Sequence, residues 1–331
     1  MKALIIQPQQ FSTNVYAVEQ QQRISQLVEL LAPSLTPEAA SSDKALLAEA
    51  EIIFCTWGMF KLDQAALTHL PKLKMVYYAA GSVNYLTTEA MWARGIRVST
   101  AQIENATPVA EWCLGMILLS LKSVFRHASK MRHNEARHRK DDHRMPGAYN
   151  SVIGIVSVGS IARKLIELLK SFQVTVLVSC PFLSESEAAQ LGVERVTLDA
   201  LFQRSDVISL HTALNDQTNG MITGKHIAMM RPESTLINSA RGGIIKQDEM
   251  VAVLSERKDL FAVLDVTDPE PLPGGHPLYL MPNVLLTPHI AGAMQTECLR
   301  LADCVIDECE RHLNGEAMLH EVKLEDLARR A

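Results

Sequence analysis

The sequence predicts an α/β protein made of two doubly wound parallel sheets. Three observations carry that reading. Short runs that are apolar throughout alternate with helical patterns along almost all of the 331 residues. Strands buried on both faces and joined by helices leave this signature. The length suits two domains at about 150 residues each, and 47% hydrophobic residues is enough for each to bury a core.

Taken in order, the first strand is expected at Ala3–Gln7 in MKALIIQPQQ, with no cleavable signal before it. Glu51–Thr56, Lys74–Ala79 and Ile96–Ser99 follow, with helical stripes such as Val18 to Leu31 between them. A long helix is expected over roughly Thr107 to Lys130, with Thr107 as its cap and Pro108 in its first turn. Its WCLGMILLSL centre implies burial on most sides. The second set of strands is expected at Val152–Val158, Val174–Val178, Asp206–Leu210, Thr235–Asn238, Phe261–Val266 and Val284–Leu286, mostly joined by helices of about ten residues.

Composition narrows the function classes. Lys+Arg 32 against Asp+Glu 37 gives a net charge of −5, so no bulk affinity for nucleic acid or anionic membrane is expected. The longest apolar stretch, Trp112 to Leu121, is too short to span a bilayer. A cytoplasmic home is the expectation. The crowded Arg, Lys and His of Arg126 to Arg144, centred near Arg137, read as a solvated helix end and loop rather than an anion patch, because Glu135, Asp141 and Asp142 dilute them.

The six cysteines form no CxxC pair and read as free thiols, with Cys309 in DECER the more exposed. Cys304, Glu308 and His312 share a helix face by their spacing. Cys304 and Cys309 diverge around that helix and no further ligand is evident, so no metal site is expected.

Ligands of open parallel sheets bind beyond the carboxyl ends of the strands. In the second set those ends carry Gly159, Cys180, His211, Ser239–Ala240–Arg241, Asp265 and Pro288–His289. The first turn, SVIGIVSVGSIARKLIELLKSF, runs a strand straight into a helix. A dinucleotide fingerprint would place Gly at three positions there; this chain has Ser157, Gly159 and Ala162. The middle Gly admits a phosphate to backbone N–H groups. A plain βα turn would give the same residues, and the motif alone does not separate the two. In INSARGG, Arg241 stands just past a strand, where its planar fork suits a carboxylate; a surface Arg in a turn is the other reading. In LDVTDPEPLPGGHPLYLMPNVLLTPHIAG, Glu270 precedes the last strand and His289 follows it. A carboxylate bonded to an imidazole makes a general acid/base; a solvated Glu and a capping His are the alternative. The loop Trp57–Gly58–Met59–Phe60 is a candidate lid over a ligand.

These residues together resemble the D-isomer-specific 2-hydroxyacid dehydrogenases, the group with phosphoglycerate, glyoxylate and hydroxypyruvate enzymes. The resemblance runs over LKMVYYAAGSVNYL, ENATPVAEW, the glycine turn, SDVISLHTALNDQT, TLINSARGG, and PEPLP followed by LTPHIAG. It implies a Rossmann-type cofactor domain at 102–291 and a smaller flavodoxin-like substrate domain from 1–101 and 292–331. It implies Arg241, Glu270 and His289 as the catalytic set. It implies a cofactor site at Ser157, Gly159, Ser160, Ile161, Cys180, His211, Thr212, Ala213, Ser239, Ala240, Arg241, Asp265 and His289. Gly81, Ser82 and Val83 would hold the substrate anion with Arg241, and a homodimer would form through the cofactor domain and its long helix.

The chain departs from the family pattern. Ser157 stands for the first Gly, Cys180 for an Asp, and Ala213 for a frequent Pro; AAGSV is less glycine-rich than the common loop. It ends soon after the last helix, so no appended regulatory domain is expected. The expectation is an NAD(P)-dependent D-2-hydroxyacid dehydrogenase or 2-ketoacid reductase, taking NAD or NADP with NAD slightly preferred. The rival is a regulatory protein that binds the dinucleotide without turnover. The sequence does not name the 2-hydroxy acid.

Overall fold

The computed structural model describes residues 1–132 and 147–329. By its internal contacts the chain forms two compact units, Met1–Ala106 with Ala293–Ala331, and Thr107–Gly292. The first crossing falls a few residues after 101, inside a continuous helix, where no turn residue marks it.

The first unit holds β1 (Lys2–Ile6), β2 (Glu29–Leu30), β3 (Ile52–Cys55), β4 (Met75–Tyr78) and β5 (Arg97–Thr100), all parallel, in the order β2-β1-β3-β4-β5. That is the flavodoxin-like order. Alternate residues serve two cores. Leu4, Ile6, Ile53, Cys55, Val76 and Tyr78 face one side. Ala3, Ile5, Ile52, Phe54, Met75 and Tyr77 face the helix Glu297–Leu313 on the other. Cys298, Leu301, Val305, Ile306 and Cys309 form that helix's buried stripe. Cys309 is therefore 0% exposed, and the expectation that it is the exposed thiol is wrong. Its acidic neighbours mislead: Asp307 and Glu310 sit at exposed angles of the same helix, and Glu308 is itself buried.

The second unit holds β6 (Ser151–Val156), β7 (Val174–Ser179), β8 (Glu194–Arg195), β9 (Val207–Leu210), β10 (Thr235–Asn238), β11 (Phe261–Leu264) and β12 (Val284–Leu286). All pair in parallel, in the order β12-β11-β10-β9-β6-β7-β8. The order reverses between β6 and β9, the switch point of a Rossmann sheet. In the first unit, β13 (Glu321–Val322) closes the edge antiparallel to β5. β2, β8 and β13 are not expected from the sequence. Each is a two-residue edge strand carrying Glu29, Glu194 with Arg195, or Glu321, so no apolar run signals it.

The long helix also differs from expectation. It starts at Gln102, breaks after Leu121, and resumes as Val124–Arg132 at a 59° bend with Ser123 in the left-handed region. Thr107 is not its cap, and Pro108 lies inside it. An internal Pro costs one helical hydrogen bond; the stripe Ala106, Ala110, Cys113, Ile117, Leu121 buries enough apolar surface to carry the helix past it. Burial is one-sided, since Glu111 and Leu119 on the far face are exposed. No single helix among the described residues is long and apolar enough to cross a membrane, although this bent pair passes by length and composition. Arg137 and most of the basic stretch lie outside the described residues.

Candidate active site

Register puts the second sheet's strand ends in one row. Val156 lies beside Ser179 and Leu210, Leu210 beside Asn238, Asn238 beside Leu264, and Leu264 beside Leu286. The next residues, Ser157, Cys180, His211, Ser239, Asp265 and Thr287, therefore share the carboxyl edge.

At the switch point β6 stops two residues sooner than predicted: the Ser157 N–H still makes the last ladder bond, to the Ser179 carbonyl at 2.9 Å, but its φ of +71 turns the chain out of the strand. That conformation costs a non-glycine residue about 1–2 kcal/mol. The glycine expected at this position would remove the cost. Gly159 begins the helix Ser160–Leu169, which no side chain caps, and a Cβ on Gly159 would meet nothing within 4 Å. The helix thus offers its first N–H groups beside open space, the arrangement that takes a phosphate. The turn fits a dinucleotide, whose phosphate would meet the N–H groups of Ser160 and Ile161. Ala162 is fully buried, as close helix packing requires. Cys180 follows β7 and is 7% exposed.

Beneath the edge runs a buried polar chain that the sequence did not suggest. Ser209 Oγ and His211 Nε2 are 2.9 Å apart, and Cys113 Sγ and Ser239 Oγ 3.2 Å. Burial pushes the Cys113 thiol up to about 11 and the His211 imidazole down to about 4. An imidazole that stays neutral when folded, but takes a proton at about 6.5 when unfolded, favours the unfolded chain as pH drops. Stability should fall by up to about 1.4 kcal/mol per pH unit between about 6.5 and 4 from this group. Urea midpoints measured from pH 7 to 4.5 should lose part of their slope in His211→Gln. A slope equal to wild type would show that His211 is not the buried base.

The three expected catalytic side chains come together in this unit. Asn238 shapes the turn after β10: its Oδ1 accepts from the Ala240 N–H (3.1 Å) and its Nδ2 donates to the Arg241 carbonyl (2.9 Å). Gly242 is obligatory next, since a Cβ there would lie 2.0 Å from the Thr267 carbonyl carbon. Arg241 Nη1 donates to the Ala240 carbonyl at 2.6 Å. Burial lowers the Arg241 pKa, and the nearby Glu270 charge opposes that. Glu270 Oε1 meets His289 Nδ1 at 2.6 Å, and Nε2 has no hydrogen bond among the described residues.

Asp265, 1% exposed, fastens the histidine's loop. Its Oδ1 accepts from the Thr287 hydroxyl (2.6 Å) and the Ile290 N–H (2.8 Å), its Oδ2 from the Ala291 N–H (2.8 Å). Its backbone carbonyl accepts from the His289 N–H (2.9 Å). These bonds hold His289 at φ +55, a strained conformation that persists only where surroundings over-determine it. The carboxylate placed in the cofactor site by sequence is thus turned onto its own chain. Thr212 is buried beside His211, and the Ala213 carbonyl accepts from Thr218 Oγ1 (2.6 Å).

In the first unit, Gly81–Ser82–Val83 follow β4 at its carboxyl end. Val83 is buried, and its carbonyl accepts from the Leu86 and Thr87 N–H groups. Asn105, which the sequence reading did not single out, holds the Ala293 N–H with Oδ1 (3.0 Å), and its Nδ2 lies 3.4 Å from where a Gly81 Cβ would be. Met59 is 3% exposed and packs in the core with Trp57 and Phe60 against it, so it is no lid residue; apolar residues just past the end of β3 serve the core here. Cys304, Glu308 and His312 do not gather as ligands. Glu308 is buried and accepts from Ser99 Oγ and from the Leu319 and His320 N–H groups, while His312 Nδ1 pairs with the Tyr77 hydroxyl.

Comparison with known proteins agrees with this layout. Residues 114–291, inside the second unit, match the family model "D-isomer specific 2-hydroxyacid dehydrogenase, NAD binding domain". A (S)-sulfolactate dehydrogenase of Chromohalobacter salexigens is 30% identical over 259 residues, covering 78% of this chain and 83% of that protein. A D-3-phosphoglycerate dehydrogenase of Methanocaldococcus jannaschii is 28% identical over 84% of this chain, which spans only 53% of that protein. The NAD-complexed D-isomer specific 2-hydroxyacid dehydrogenase of Lactobacillus delbrueckii ssp. bulgaricus shares the fold at a TM-score of 0.79, with 19% identity over 98% of this chain and 100% of that one. The chain belongs to the D-isomer specific 2-hydroxyacid dehydrogenase family, and its second unit is a nicotinamide dinucleotide-binding domain.

Proposed function

We propose that this protein interconverts a small D-2-hydroxy acid and its 2-keto acid with a nicotinamide cofactor. The observation that carries the reading is the Glu270–His289 pair, 2.6 Å apart, with Arg241 in the field of Glu270. The bound nicotinamide supplies or accepts the hydride. Arg241 grips the substrate carboxylate and polarises the carbonyl. His289 Nε2 gives a proton to the carbonyl oxygen in reduction and takes it back in oxidation. Glu270, on Nδ1, fixes the tautomer and stabilises the charged ring. A dinucleotide sensor without turnover has no use for this relay. The test is absorbance-monitored oxidation of NADH and NADPH with a panel of small 2-keto acids. Cofactor binding with no turnover across the panel would favour the sensor.

NAD is the slightly preferred cofactor in this reading. A strand-end carboxylate would accept from the ribose and repel a 2′-phosphate; Cys180 does neither well. The neighbouring cations are already paired, Arg163 with Glu187 (3.2 Å) and Arg195 with Glu185 (2.9 Å). Cys180→Asp should tighten NADH binding by about tenfold, the worth of one charge-assisted hydrogen bond, and weaken NADPH binding. Fluorescence titration of both cofactors reads this; an unmoved ratio of Kd values would place the ribose elsewhere.

Six free cysteines suit a reducing compartment, the cytoplasm. Exposed Leu119, Val124 and Met131 along the bent helix pair support a homodimer through the cofactor unit; sedimentation of the full chain tests it.

A further inference from the structure

The Glu270–His289 pair cannot hold its own geometry. Its side chains are 42% and 47% exposed. Exposed ion pairs contribute only about 0–1 kcal/mol, and side-chain entropy works against a single arrangement. Something else must aim Glu270. The segment before it is pinned from two sides. Gly242 presses against the Thr267 carbonyl carbon, leaving no room for a side chain. From the first turn of the helix Gln247–Glu256, the Gln247 amide closes on the Asp268 backbone: Nε2 donates to its carbonyl at 2.7 Å and Oε1 accepts from its N–H at 3.1 Å. This two-way pairing needs a donor and an acceptor on one side chain of this length. Thr267 Oγ1 then donates to the Pro269 carbonyl at 3.0 Å, so the chain enters Glu270 already fixed.

We propose that Gln247 is a positioning residue that sets Glu270 against His289. It touches neither member of the pair and acts through the backbone of Asp268. Its kinetic consequence rests on the oxidoreductase reading; its structural consequence does not. Arg241 after β10 lies in the field of Glu270, and Asp265 after β11 is engaged with residues 287–291.

The test compares the full-length wild type with Gln247→Ala, Gln247→Glu and Glu270→Gln. Gln247→Glu keeps the size and the acceptor, loses the donor and adds a negative charge that the Asp268 carbonyl repels, so it opens the clamp without shortening the side chain and decides the question if Gln247→Ala fails to fold. The first readout is the downfield proton signal of His289 Nδ1–H, assigned by its absence in His289→Asn. It should be present in wild type, and lost or broadened in Glu270→Gln and in both Gln247 variants, with NADH Kd unchanged. The second is kinetic: kcat should fall about tenfold or more while the keto-acid KM stays within about twofold, as small misplacement of a catalytic group costs rate rather than binding. A wild-type signal retained in the folded Gln247 variants would overturn the proposal. If the signal is lost but the wild type reduces no keto acid, the positioning role stands and the oxidoreductase reading falls.

Discussion

His289→Asn should lower kcat for keto-acid reduction by about 10²–10⁴-fold, the range a positioned general acid contributes. Cofactor binding should change little, because the glycine turn at Gly159 is built on other strands. The variant stays informative about folding. The Asp265 anchor uses the backbone of residue 289 and not its ring, and Asn tolerates the left-handed φ better than most residues. Stopped-flow reduction with saturating NADH measures the step. A loss below about threefold would show that the proton comes from elsewhere.

Arg241→Lys should cost about 10²-fold in kcat/KM despite keeping a formal cation. The guanidinium spends Nη1 on the Ala240 carbonyl at 2.6 Å, which fixes the direction of the remaining fork. A carboxylate then receives two parallel bonds, which an ammonium cannot supply. Burial adds a second loss. It already lowers the Arg241 pKa, and a Lys in its place starts from about 10.4 and shifts readily when desolvated. KM should rise and kcat fall together, since the same group holds the carboxylate and polarises the carbonyl. Steady-state kinetics with one keto acid and wild-type values within fivefold would remove Arg241 from the clamp.

Much of this was legible in the residues. Nearly every central strand was visible as an apolar run, because a parallel strand is buried on both faces and shows no alternation. Arg241 and His289 were visible because they stand immediately after such runs, where chain direction forces them to one edge. The Ser157 departure was visible as a missing glycine, though its φ of +71 was not. Two-residue edge strands, the early start of the helix at Gln102 and its break at Ser123 were hidden. Edge pairing leaves no pattern, and burial overrides a proline signal.

The sequence by itself determined the class of fold, the edge at which chemistry sits and the types of the three reactive side chains. Those follow from local hydrophobic pattern and strand polarity, which neighbours in the chain encode. The sequence offered the Glu270–His289 pair as one of two readings, and the tertiary structure decided for it; only there does Asp265 fasten the loop of residues 287–291 and Gln247 clamp Asp268 across 21 residues of chain. Each of these is a directional hydrogen bond between segments distant in sequence. No local periodicity carries its angle or its length, so it exists only once the sheets are folded.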